Sequence, residues 1–144
     1  MTHWHARPRT ASPDGREQLV QTIEPLLRVR EEVMFAYLHG SFITGEAFRD
    51  VDLAFYVTMK PGSGTSLRRY EVDVGVDLTA HVQLPIDVRV LNDAPVAFRY
   101  HVLKGRLLFT RDNEFLDVCR ARTWDEYCDF APFARRYLRE AIGD

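Results

Sequence analysis

The sequence predicts a mixed α/β (α+β) domain, a small sheet covered by helices, and three observations carry that expectation. Short apolar runs at 33–40, 51–59, 86–92 and 106–110 read as strands bounded by Gly, Pro or Asn. Between them, apolar residues recur three or four apart, the helical period. The resulting order is helix, strand, strand, helix, strand, helix, strand, helix, an interleaving that places helices against one sheet.

The first helix is expected over 16–28, where Leu19, Val20, Ile23, Leu26 and Leu27 share a face and Pro25 threatens a kink. Residues 1–15, polar and carrying Pro8 and Pro13, read as a flexible N-terminal arm; His3 and His5 within it read as solvated. Residues 16–144 then form a single domain with C-terminal helices. "KPGSGTS" lacks P-loop spacing and reads as a connector to a helix over 67–82, where Tyr70, Val74, Leu78 and Val82 stand four apart. A short helix over 96–104 ends at Gly105, and 112–142 reads as one or two helices with Pro132 interrupting the second.

Composition narrows the function classes. A chain of 144 residues suffices for one core and about one cleft. Its formal net charge of -2 supplies no basic field, which argues against a nucleic-acid partner. Cys119 and Cys128 form no metal-binding cluster and read as buried or half-buried thiols. No apolar run reaches the length of a membrane span or a signal-peptide core, so the expected location is the cytoplasm, with no membrane partner.

The chemistry gathers at "YLHGSFITGEAFRDVDLAFYV". Asp50 and Asp52 are two apart, which on a strand places both carboxylates on one face with Cα atoms roughly 6–7 Å apart. Gly40 lets backbone approach a phosphate, and Ser41 offers a hydroxyl and an N–H at the start of a short turn toward Gly45. Asp87, inside the apolar alternation of the third strand, is costly alone and completes a set of three acceptors. Oxygen ligands beside a phosphate cradle suit Mg²⁺ arriving with a nucleoside triphosphate, and two ions in a two-metal arrangement.

The segments "GSFITGEAFRDVDLAFYV" and "PIDVRVLND" resemble the minimal nucleotidyltransferases of the DNA polymerase β-like superfamily: Gly-Ser, a spacer, Asp-x-Asp, then a single Asp on a later strand. More narrowly, the chain from about Arg16 onward looks like the minimal nucleotidyltransferase (MNT) domain antitoxins paired with HEPN-domain toxins. The resemblance implies the polymerase β-like nucleotidyltransferase fold, with Asp50, Asp52 and Asp87 as catalytic metal ligands. It likewise implies that Gly40, Ser41, Gly45 and Arg49 bind the nucleotide. It implies a protein adenylyltransferase that uses Mg²⁺ and ATP to place AMP on a tyrosine of a HEPN ribonuclease toxin. The chain departs from the pattern at Thr44, where many relatives carry a basic residue; Arg49 and Arg89 are the candidates to replace it.

Blander readings stand beside these. Asp50 and Asp52 alone would read as a solvated edge, and Asp87 as an ion pair with Arg89. Asp73 and Asp77 read as a solvated helix face, Asp93 as a cap, and His39 as a packed histidine. Phe130, Phe133, Tyr137 and Leu138 read as core or as a toxin-docking face, with Arg135, Arg136 and Arg139 beside them. Two alternatives to protein adenylylation stay open: a non-catalytic antitoxin that covers its toxin sterically, and nucleotide transfer to a small molecule.

Overall fold

A computed structural model describes residues 9–45, 47–58 and 66–142, without the side chains of 134, 135 and 137–142. His3, His5, Met59 and most of the connector lie outside the described residues, as do the side chains of Arg135, Tyr137, Leu138 and Arg139. Helix α1 spans Pro13–Arg28 and starts earlier than its apolar spacing predicts. The reason is local. Ser12 accepts a hydrogen bond from the Gly15 N–H, and Pro13 occupies the first turn, where its missing N–H costs nothing. Arg9 already bridges Phe48, so the boundary drawn at residue 15 is corrected toward the N-terminus.

The remaining elements follow in order: β1 (Val33–His39), α2 (Ser41–Thr44), β2 (Val51–Val57), α3 (Leu67–Val82), β3 (Ile86–Val90), α4 (Val96–Leu103), β4 (Arg106–Thr110) and α5 (Asn113–Ile142). The sheet order is β3-β2-β1-β4, with β1 antiparallel to β2 and β4, and β2 parallel to β3. The mixed α/β expectation matches this architecture. Pro25 and Pro132 do not break their helices. Each is exposed and deletes only its own N–H bond, to the carbonyls of Gln21 and Cys128 on equally exposed stretches. Cys128 is exposed, which corrects its reading as buried. Nine residues along one helix also hold the two thiols about 13 Å apart by rise alone, too far for a disulfide.

Alternation along the central strands sends side chains to two helical layers. Leu53 and Phe55 pack with Ile23 and Leu27 of α1 and Val74 and Leu78 of α3. Phe35, Tyr37 and Ala54 pack on the other face with Val102 of α4 and Leu116 of α5. Arg120 donates to the Tyr37 hydroxyl at 2.7 Å and so satisfies a polar atom inside that second layer.

The first layer is tied across its top. The Tyr70 hydroxyl of α3 donates to Glu32 at 2.6 Å, in the loop between α1 and β1. Burial first, then the Glu32 carboxylate, hold this hydroxyl protonated well above its ordinary range. Tyr70→Phe is expected to destabilise the protein by about 1.5–3 kcal/mol, the range for a hydrogen bond to a charged group. Urea unfolding at neutral pH measures it, and an unchanged midpoint would show the bond to be worthless.

Candidate functional site

Three side chains align across one end of the sheet. In register, His39 of β1 faces Asp52 of β2, and Asp52 faces Asp87 of β3. Directly paired residues on neighbouring strands point to the same face, with strands about 4.8 Å apart. The face is the one covered further along by α4 and α5, and the row lies where that cover stops.

The turn before this row is set by two glycines. Gly40 has φ 81° and ψ -164°, a conformation essentially closed to other residues, and a Cβ there would collide with the Asp52 carboxylate. The backbone therefore passes directly against the carboxylate because residue 40 has no side chain. Ser41–Thr44 makes one helical turn, whose first N–H groups have no intrahelical acceptor. Gly45 closes that turn at φ 85°.

Ser41, Ala47, Arg49, Asp50 and Asp52 line a cavity of 380 Å³. Gly40 is not among its lining residues but abuts Asp52, which is. Asp50 occupies a bend, and β2 begins only at Val51; the expectation that both aspartates share a strand face is corrected accordingly. Asp87 does not line this cavity. It is exposed, because β3 is the edge of the sheet and its alternate residues Asp87 and Arg89 face solvent. The expectation that Asp87 is costly inside an apolar strand is corrected by that edge position. Gly45 stands apart, at the far end of α2 beside the Arg16 guanidinium, 3.5 Å from where its Cβ would be.

The electrostatics link what the cavity divides. Burial, then the Asp87 and Asp50 carboxylates, push Asp52 up to about 6; Arg89 opposes them. Although the residue as a whole is exposed, partial desolvation of its carboxyl, first, raises Asp87 as well, against the pull of Arg89 and with Asp50 and Glu71 adding to the rise. His39 is pushed down to about 4 by burial and then Arg89, and stays neutral at pH 7. Its Nε2 is buried with no hydrogen-bond partner, and its ring meets Phe98 of α4 edge-on at 5.5 Å. His39 is thus half-buried at the site's margin, beyond its reading as a packed histidine.

Among the described residues no three acidic, His or Cys side chains converge closely enough to form a cation cage. The donor set nonetheless fits a hard divalent cation. Asp50, Asp52 and Asp87 are oxygen ligands from adjacent backbone, and the Asp87 and Asp50 charges that help raise Asp52 are ones a divalent cation would offset.

Sequence reasoning missed the contributions of α1, α3 and α4. Arg89 stacks on Phe98 at 5.2 Å, and with Arg68, Glu71 and Asp93 it lines a second cavity of 380 Å³. Of the two candidates for the basic residue absent at Thr44, Arg49 lines the Ser41 cavity and Arg89 reaches Asp52 and Asp87 electrostatically. Arg16 is a third cation near the turn, brought from α1 by tertiary packing and invisible to local spacing. No helix among the described residues is long and apolar enough to cross a membrane.

Solved structures share this fold. A chain of the complex between tri-AMPylated Shewanella oneidensis HEPN toxin and MNT antitoxin is 16% identical, with 88% of the present chain and 98% of that chain covered at a TM-score of 0.69. A toxin–antitoxin structure with AMP-PNP gives 17% identity, 85% and 98% coverage and a TM-score of 0.70. The MntA–HepT toxin–antitoxin structure gives 15%, 88%, 98% and 0.68. No curated protein matches the sequence. The family profile described as Polymerase beta, Nucleotidyltransferase matches residues 21–114, from within α1 to the start of α5. That span is well over half of the chain, and the chain therefore belongs to the polymerase β nucleotidyltransferase family.

Proposed function

We propose that this protein is an antitoxin of the MNT kind, which transfers AMP from ATP to a tyrosine of a partner HEPN ribonuclease toxin, with Mg²⁺ as the metal. The observation that carries the reading is the in-register pair Asp52–Asp87, with Asp50 close enough to raise both, against a turn that only glycine can make. The family supports nucleotidyl transfer. The MNT antitoxin complex with an AMPylated HEPN toxin and the structure with AMP-PNP support the partner and the nucleotide.

In this reading Ser41 and the first N–H groups of α2 hold the triphosphate, with Arg49 as a flanking cation. Asp50 and Asp52 would hold both metal ions and Asp87 one. Bound there, Mg²⁺ supplies charge neutralisation on the phosphates and a lowered pKa for the attacking hydroxyl. The tyrosine oxygen forms a bond to the α-phosphorus, and the bond from that phosphorus to the bridging oxygen breaks. Pyrophosphate leaves on the Ser41 side, and Asp87 accepts the hydroxyl proton. The chain's contribution is mainly position and charge.

The test is the intact mass of the proposed HEPN-domain partner after incubation with this chain, ATP and Mg²⁺. Addition of one or more AMP units, absent with Asp50→Asn/Asp52→Asn, is the expected result. A tight complex with no added mass would replace transfer by steric cover of the toxin.

A further inference from the structure

The carboxylates border two hollows of different character. On the Ser41 side lies the 380 Å³ cavity, lined largely by polar groups. On the other side a groove of 860 Å³ runs between α3 and the free edge of β3, and Asp50 and Asp87 line it too. Asp50 alone among these carboxylates lines both.

The wall of this groove is unusual for a solvated helix face. Val72 and Val76, one turn apart on α3, are 45% and 66% exposed, while Val74 and Leu78 on the same helix are buried in the core. Gly75 lies between them, where a Cβ would stand 3.3 Å from the Ile86 carbonyl, so the helix is laid closely along the strand. The free edge of β3 is also already occupied in part. Thr79 Oγ1 accepts from the Ile86 N–H at 3.0 Å, and the Glu71 carboxylate accepts from the Val90 N–H at 2.7 Å. A visiting segment therefore has little backbone to pair with as an added strand, and would be held by side-chain contact with the valines.

In-line transfer fixes which side each reactant occupies. The nucleophile must approach the α-phosphorus opposite the leaving pyrophosphate. With the triphosphate at Ser41, as in the function proposed above on which this inference rests, the opposite approach is past Asp87, at the head of the groove. The volume lies within the range of about 300–1,000 Å³ that holds sizeable ligands. It has room for an aromatic side chain with flanking residues, far more than a lone hydroxyl needs.

We propose that the α3–β3 groove is the acceptor site: a segment of the partner protein carrying the target tyrosine seats on Val72 and Val76 and presents its hydroxyl at Asp87. Acceptor choice then resides in α3, away from the residues that bind the nucleotide.

The experiment compares the unaltered chain, Val72→Asp/Val76→Asp and a control, Val29→Asp, which alters a still more exposed valine just past the end of α1. AMP transfer to the full-length partner is followed against partner concentration, and ATP binding with Mg²⁺ is read separately by thermal shift. The double variant is expected to raise the KM for the partner at least tenfold, with an unchanged ATP-induced shift and a control that behaves as the unaltered chain. A photocrosslinker at position 76 should capture the peptide that bears the modified tyrosine. Unchanged KM, capture of a remote segment, or loss of the ATP-induced shift would each overturn the acceptor assignment, the last by making the groove part of the nucleotide site. No AMP on the partner with the unaltered chain would sink the transferase reading itself, and the groove with it.

Discussion

Asp52→Asn is expected to lower AMP transfer on the order of 10³-fold while making the metal-free protein more stable at pH 8. Both effects have one origin. The carboxyl has its pKa at about 6 in the fold against an ordinary value of 3.8, chiefly through burial and then through Asp87 and Asp50. The folded state thus holds this proton more tightly than the unfolded chain does. The stabilisation is fully present below pH 4 and is lost as pH rises from 4 through 6; above that the ionised group opposes folding. Two pKa units correspond to about 3 kcal/mol, and solvent screening at this partly open position reduces that to about 1–2 kcal/mol. Urea unfolding in the presence of a chelator should show variant and unaltered chain alike at pH 4 and separated by that amount at pH 8. Added Mg²⁺ should stabilise the unaltered chain and leave the variant largely unmoved. Equal stability at pH 8 without metal would mean that Asp52 is not a buried, repelled carboxylate.

Gly40→Ala should be nearly as damaging to transfer, by a different route. The φ of 81° with ψ of -164° costs an alanine about 1–3 kcal/mol. The new methyl would also meet the Asp52 carboxylate head-on. That carboxylate is the free end of a side chain, so it can swing away at modest packing cost, but it then leaves the row it shares with Asp87. A displacement of about 1 Å at a reacting centre costs on the order of 10²-fold in rate. Kinetics and thermal melts on the same preparation separate the two effects: folded protein with transfer reduced a hundredfold is expected. Full transfer by the alanine variant would show that the close passage of backbone and carboxylate has no functional role.

The elements of the sheet were legible because strand β1, β2 and β4 residues carry their burial in their own sequence. Each is a short apolar run with a stop, and the helices between them repeat at 3.6. The start of α1 is also written locally, in Ser12 and Pro13, but the apolar period alone places it at Arg16. Continuity of α5 through Pro132 was not legible, since the cost of a proline depends on whether its orphaned carbonyl is exposed, and exposure is a tertiary property. The same applies to Asp87. Alternation with Ile86 and Val88 describes a buried strand and an edge strand equally well, and only the strand order decides.

Of the site, the motif carried Gly40, Ser41, Asp50 and Asp52 into one neighbourhood, because they are joined by a single turn and a short bend. Arg68, Arg89 and Phe98 come from three elements and line one cavity, and Arg16 reaches Gly45 from a fourth; nothing in their local spacing announces either meeting. His39 shows the limit most clearly. Its neighbours in sequence describe a buried strand end, while its shifted ionisation and orphaned nitrogen depend on Arg89 and Phe98, more than forty residues further on.

The order in which strands join the sheet has a consequence for synthesis. Strands β1, β2 and β3, which carry the carboxylate row, are all encoded before Leu91. Strand β4, which covers the other flank of β1, arrives only with Thr110. Until then the growing chain displays an apolar edge, Val33–His39, with unpaired backbone along its length. Arg111 follows immediately and donates to the carbonyls of Arg28, Arg30 and Val33, fastening the last strand to the first turn. A chain in which β4 has not yet joined the sheet leaves this flank open to association with a second copy.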